Sequence, residues 1–168
     1  MSFFTKLPDA FAAFWAVLND DTPESHIKGI KFESFVGDVL FPKKDYDLVD
    51  VTHDYWMNKD RFVESSYKPD FRFRDKKTGK DFYVECKFRT GLKDGKYLWT
   101  NEKQFVRYND FKDAPVFLAL GFVGHADYPD RVFFLKLEDA KWVGLYLSHL
   151  EKFEIPKKPV LSSWLWSL

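Results

Sequence analysis

Residues 70–89 carry the pattern that most restricts how this chain can fold. Phe71 and Phe73 alternate with Asp70, Arg72 and Arg74; Phe82, Val84, Cys86 and Phe88 alternate with Tyr83, Glu85, Lys87 and Arg89. Strict alternation marks half-buried strands, with one face in a core and one face open. The intervening Asp75-Lys76-Lys77-Thr78-Gly79-Lys80 is polar and contains glycine, the chemistry of a hairpin turn. A loop centred between Lys77 and Thr78 sets Asp70 directly across from Glu85, on the polar face beside Lys87. A two-residue slip keeps all three on that face, because side-chain direction has period two. Opposed carboxylates destabilise a sheet unless something compensates. A divalent cation is one compensator and Lys87 is another.

Composition sets the frame around that hairpin. A length of 168 residues suits one ordinary domain with a core of its own. The formal net charge of zero argues against a general polyanion binder, but its distribution is uneven. Residues 59–112 hold 15 Lys/Arg against 9 Asp/Glu, and the remainder holds 11 against 17. A basic half is compatible with a polyanionic partner and equally with a solvated, lysine-rich face. One cysteine excludes an internal disulfide and a thiolate zinc site, and suits a reducing cytoplasm. No apolar run approaches the ~18 residues of a membrane span, and the N-terminus lacks the basic start and apolar stretch of a signal peptide. The sequence therefore predicts a cytoplasmic chain with no membrane partner.

The periodicity predicts helices over 8–19, 23–40 and 102–112. Strands are expected over 46–53, in the hairpin, and over 115–120 and 131–137. Residues 58–67 read as part loop and part strand. Residues 121–130 read as a loop holding His125, and 137–150 as partly helical. Thr22 is the expected N-cap of the second helix, with Pro23 at its first position. Gly29, Glu33 and Gly37 are spaced at four and stack on one side of that helix. Interior glycines cost about 1 kcal/mol each relative to alanine. Their presence suggests a close approach by a backbone or a ligand, with Glu33 between; ordinary tight packing with an exposed Glu33 explains them equally well. Gln104 and Tyr108 share a face of the third helix, although Asn101 and Gln104 also have capping-box spacing. The apolar tail, residues 159–168, either docks on its own domain, the favoured reading, or joins a second copy in a homodimer. The element order describes a single mixed α/β domain, its central sheet flanked by helices.

Two carboxylates and a lysine on one sheet face suit a hard cation such as Mg²⁺, which prefers oxygen ligands. Asp70 and Glu85 can each give an oxygen, and the Cys86 backbone carbonyl a third. The Cys86 thiol points to the apolar face. Lys87 could orient a water, accept its proton or stabilise developing charge. An isolated Glu-x-Lys is common on strand surfaces and carries no such meaning alone. In this chain Pro69-Asp70 followed by Glu85-Cys86-Lys87 resembles the signature of the PD-(D/E)XK nuclease superfamily, with Glu33 matching the acidic residue on the preceding helix. Gly29-x-x-x-Glu33 and Gln104-x-x-x-Tyr108 further resemble the subgroup found in the nuclease domains of recombination helicase–nucleases and CRISPR-adaptation exonucleases. The resemblance spans residues 29–108. It implies a restriction-endonuclease-like fold and Mg²⁺-dependent cleavage of nucleic acid, usually DNA, with Mn²⁺ able to substitute. Asp70 and Glu85 would bind the metal, Lys87 would assist the nucleophile, and Glu33 would support the site directly or through water. Gln104 and Tyr108 would hold DNA or orient the site. The chain lacks the cysteines of the subgroup's iron–sulfur members, so no cluster is expected. His26, His53, His125 and His149 share no metal-site spacing. Two rival readings are a nuclease-fold protein that binds nucleic acid or a partner without catalysis, and an assembly protein that uses its aromatic tail.

Overall fold

The computed structural model of the chain describes residues 23–52 and 68–168. The helix expected over 8–19, the segment 58–67, Thr22 and His53 lie outside the described residues. The first described helix, α1 (Glu24–Phe35), starts at Pro23 and continues as a π-helical turn over Val36–Leu40. The Phe41 N–H closes that turn on the Val36 carbonyl at 2.9 Å. Three antiparallel strands follow: β1 (Tyr46–Val51), β2 (Phe71–Asp75) and β3 (Asp81–Arg89). After a short β4 (Lys96–Leu98), α2 (Glu102–Asp110) leads to β5 (Val116–His125), which runs parallel to β3. β6 (Tyr128–Lys136) returns antiparallel to β5. The result is one mixed five-stranded sheet in the order β1-β2-β3-β5-β6. β4 pairs instead with β7 (Gly144–Tyr146) in a separate two-stranded ribbon.

The β2–β3 register is the one the turn predicts: Phe71 pairs with Val84, Phe73 with Phe82 and Arg74 with Asp81. Asp75 holds the turn, accepting from the Lys77 N–H at 2.9 Å and the Thr78 hydroxyl at 2.7 Å. Gly79 adopts a positive φ of 71°, which closes the loop without a side-chain clash.

Apolar residues fill both sides of the sheet. Phe82, Val84, Cys86 and Phe88 of β3 face α1, where Phe32, Phe35 and Val36 are buried with them. On the other side, Leu118, Leu120, Phe133 and Leu135 pack with Tyr97, Trp99 and Tyr108. The hairpin's polar face is therefore not open at β3. α2 and the residue that follows it cover it: Phe111 lies edge-on to Tyr83 at 4.7 Å, and Tyr83 and Glu85 are both buried. Alternation read one face correctly as apolar, but a second layer of structure hides the other.

One further expectation needs correction. β5 and β6 run through 121–130, where a loop was expected, and leave only the Ala126-Asp127 turn between paired His125 and Tyr128. Val123 and Gly124 take φ of 51° and 73°, so the glycines and Pro129 that suggest a loop sit instead in a bent but paired hairpin. A Cβ at Gly124 would come within 2.3 Å of Asp130 Oδ1, so only glycine fits there. Of the two explanations for the helix glycines, close approach does not hold at Gly29, whose Cβ position has no neighbour within 4 Å. It occurs at Gly121 on β5, where a Cβ would meet the Phe32 ring at 2.6 Å. Residues 137–150 are partly helical, as expected: a 3₁₀ turn (Leu137–Asp139), then β7, then a four-residue helix, α3 (Leu147–Leu150).

The tail docks on its own domain. Its last short helix, α4 (Ser162–Leu165), carries the buried Leu165 into the α1 side of the core. Val160 donates its N–H to the Leu40 carbonyl at 2.9 Å, and the Val160 carbonyl accepts from the Tyr46 hydroxyl at 2.8 Å. Ser162 Oγ and Trp166 Nε1 both donate to Asp75 Oδ2, at 2.6 and 2.7 Å. Asp75 is thus the turn's organiser and the tail's anchor. Burial alone would raise its carboxyl pKa, but the donors Ser162, Thr78, Trp166 and the Lys77 N–H outweigh that and hold it below the usual carboxylate range. No helix among the described residues is long and apolar enough to cross a membrane.

Candidate metal centre

The site lies where β2 begins. The β2–β3 ladder starts with Phe71 opposite Val84, so Asp70 precedes it and falls across from Glu85. Asp70 Oδ2 accepts the Cys86 N–H at 2.7 Å, taking the place of a ladder partner. The backbone of this corner is pinned to β1: Thr52 donates its N–H to the Asp70 carbonyl at 2.8 Å and its hydroxyl to the Pro69 carbonyl at 2.7 Å. Within a strand, one residue's N–H and C=O point to the same edge. The Cys86 carbonyl therefore faces the edge where Asp70 sits. An aspartate oxygen and a main-chain oxygen are brought together by the point at which the ladder begins.

Glu85 is the unusual residue. It is 1% exposed on a central strand of the sheet. Lys87 Nζ approaches its Oε1 at 2.6 Å, yet neither carboxylate oxygen receives a hydrogen bond of regular geometry. Buried carboxylates are ordinarily satisfied, because each missing bond costs roughly 1–3 kcal/mol or more. The Tyr108 hydroxyl also lies against Glu85. Burial, then the charges of Glu85 and Asp70, hold that phenol protonated far above its ordinary range. Tyr108 is itself fixed by stacking on Trp99 at 6.0 Å. A buried carboxylate held by Lys87 and Tyr108, across from a second carboxylate and near a carbonyl, offers oxygen ligands of the kind a hard cation takes.

Burial and neighbouring charge act on Lys87 in opposite senses. Burial pulls its ammonium pKa down, but Glu85 and then Asp70 outweigh burial, and the net displacement is upward. With both carboxylates beside it, the charged form of Lys87 is favoured. The Cys86 thiol is buried in the α1-side core, and burial pushes its pKa well above normal, with Asp70 and Glu33 contributing. It is packing, as its place on the apolar face implies.

Glu33 reaches the corner from the other side. It is half-buried on α1, on the sheet face occupied by Cys86, whereas Glu85 and Lys87 project to the α2 face. Its influence on Cys86 puts it in electrostatic range of the corner. Among the described residues, no group of three or more His, Cys, Asp or Glu side chains is spaced to hold a metal together. The site that the side chains present is therefore Asp70, Glu85 and the Cys86 carbonyl, with Glu33 farther out.

Gln104 has a local occupation. The Asn101 side chain accepts the Gln104 N–H at 3.0 Å, and Gln104 Oε1 lies 3.3 Å from Asn101 Nδ2 and 3.2 Å from the Thr100 hydroxyl. The side chain that the resemblance assigns to nucleic acid or site orientation ties down the start of α2. Its neighbour one turn on, Tyr108, is the one that meets the site. Sequence reasoning missed Tyr97 altogether. Its hydroxyl lies 2.7 Å from the Lys87 carbonyl and 3.0 Å from the Gly121 carbonyl, bracing β3 against β5 beside the site. A lone tyrosine after a glycine-rich connection gives no sequence signal for that role. No protein-family model matches the chain, and no curated protein matches it.

Proposed function

We propose that this chain is a metal-dependent nuclease of the PD-(D/E)XK type that hydrolyses phosphodiester bonds of nucleic acid, with DNA as substrate, on a restriction-endonuclease-like fold. The observation that carries the reading is Glu85, a carboxylate buried on a central strand, paired with Lys87 and set across from Asp70. A mixed sheet with helices packed on it, and carboxylates where a strand ladder begins, supports the fold assignment.

In this reading Asp70, Glu85 and the Cys86 carbonyl hold Mg²⁺ or Mn²⁺, with Glu33 supporting them through water. The cation, when bound, polarises the phosphoryl oxygen and lowers the pKa of water. Lys87 positions the attacking water, takes its proton or balances charge on the phosphate. Tyr108 holds the Glu85 carboxylate in place from α2. The buried setting strengthens each of these electrostatic contacts relative to water.

Purified protein should cut DNA with Mg²⁺ or Mn²⁺ and stop on addition of a chelator. Glu85→Ala and Lys87→Ala should each abolish cleavage while circular dichroism still shows a folded protein. Cleavage that survives both substitutions contradicts the assignment. A second reading, a nuclease-fold module that binds without catalysis, is favoured by the lack of a three-side-chain metal cluster among the described residues. Salt-dependent DNA binding with no cleavage under either metal would select it.

A further inference from the structure

The β4–β7 ribbon lies outside the main sheet, yet it is braced to the strand that carries Glu85 and Lys87. Tyr97 of β4 bonds the Lys87 carbonyl at 2.7 Å, and Arg89 Nε donates to the Leu98 carbonyl at 2.8 Å. Trp99 Nε1 donates to the Trp142 carbonyl at 2.8 Å, which locks the approach to β7. The ribbon's inner residues, Tyr97 and Leu145, are buried. Its outer face pairs Lys96 with Tyr146, the Lys96 ammonium standing 5.1 Å from the Tyr146 ring centroid. Tyr146 is 57% exposed, and Trp142, two residues before β7, is 63% exposed. Asp94 and Gly95, at φ of 50° and 73°, form a tight turn that fixes Lys93 against Lys96. Residues 89–98 and 140–147 carry Arg89, Lys93, Lys96 and Lys141 against Asp94 alone. Glu138, just before this stretch, lies 3.4 Å from the ammonium of Lys136.

We propose that this outer face is a stacking platform for an unpaired nucleic-acid strand, which it presents to the Glu85–Lys87 site. The exposed Tyr146 ring with Lys96 beside it, and the exposed Trp142 ring before β7, match the two features of such a strand. Bases free of a duplex stack on aromatic rings, and phosphates meet ammonium and guanidinium groups. In a duplex the bases are already stacked on one another, so the face selects single strands. Presentation to the site rests on the nuclease reading; binding to the ribbon does not.

Binding is measured by fluorescence anisotropy of a labelled ~15-nucleotide oligothymidylate in EDTA, so that no cleavage intervenes. Tyr146→Ala and Trp142→Ala should each weaken binding about ten-fold, while Tyr146→Phe binds as the original protein does. Lys96→Gln should reduce the slope of log affinity against log salt by about 1. Both rings are exposed, so the variants should keep the parent circular dichroism spectrum. Three results would overturn the proposal: no binding of the single strand, unchanged affinity in both alanine variants, or equal affinity for a duplex of the same length. A change of sedimentation mass in Tyr146→Ala would also overturn it, by assigning the face to a second copy. Single-strand binding that needs both rings, in a protein that cleaves nothing, keeps the platform and rejects the nuclease reading. Cleavage with both rings dispensable does the reverse.

Discussion

Glu85 and Lys87 are unequal partners, and the difference is measurable. Glu85 is 1% exposed and its lysine is 21% exposed, so only the lysine can reach water when the pair is broken. Lys87→Ala leaves a buried carboxylate without its cation and should destabilise the protein by about 2 kcal/mol. Glu85→Gln should cost less than about 1 kcal/mol. If Asp70 and Glu85 bind a cation, millimolar Mg²⁺ should raise the melting temperature of Lys87→Ala more than that of the original protein. Thermal melts with and without Mg²⁺ test both statements; equal stability of the two variants would contradict the first. Asp75 makes a second residue-scale prediction. Its carboxyl is held below its unfolded value of 3.8, so its contribution is present above that pH and is lost as pH falls through the lowered value. Asp75→Asn should flatten that acid loss, and Asp75→Ala should cost about 3 kcal/mol by stranding the donors from Thr78, Ser162 and Trp166. Urea midpoints measured between pH 3 and pH 7, with Asp75→Asn in parallel, report both.

Individual elements differ in how far the sequence specified them. Phe71, Phe73, Phe82 and Val84 alternate strictly around a glycine-containing turn, so the apolar face is legible from alternation and the turn centre picks the register among the slips of two that share it. Gly121, Gly124 and Pro129 misled because local turn chemistry is overridden by pairing with β6, which absorbs the positive φ values at Val123 and Gly124. Gln104 was legible twice over, as capping-box partner and as site residue, and at the start of α2 Asn101 is the cap while the Gln104 side chain accepts from Asn101 and Thr100. Gln104→Ala should therefore cost about 0.5–1 kcal/mol of stability and leave cleavage within two- to three-fold. A hundred-fold loss of cleavage would return Gln104 to the site. The tail's apolar content was plain, but its destination depended on Asp75, which alone looks like a turn residue. Deleting residues 160–168 removes the buried Val160 and Leu165 and should cost about 4 kcal/mol. The urea midpoint of the shortened protein should not vary with protein concentration; a concentration-dependent midpoint would make the tail an intermolecular contact.

At the scale of the molecule, the site arises where two layers meet. β2 and β3 put Asp70 across from Glu85, α2 covers them with Tyr108, and the β4–β7 ribbon braces the Lys87 end of β3. Asp70, Glu85 and Lys87 could be read from alternation because their relative placement is local to one hairpin. The burial of Glu85 could not, since it depends on a helix that begins 17 positions later in the chain. Tyr97, Trp142 and Tyr146 were unreadable for the same reason: their meaning comes from a ribbon assembled across more than forty residues of sequence. The account stands or falls on whether Glu85 and Asp70 hold a cation. Crystals soaked in Mn²⁺ and measured at the manganese edge should show one anomalous peak within ligand distance, about 2.0–2.3 Å, of an Asp70 oxygen, a Glu85 oxygen and the Cys86 carbonyl. That peak should vanish in Glu85→Gln. Absence of the peak from the unsubstituted protein, or its persistence without the Glu85 carboxylate, would contradict the account.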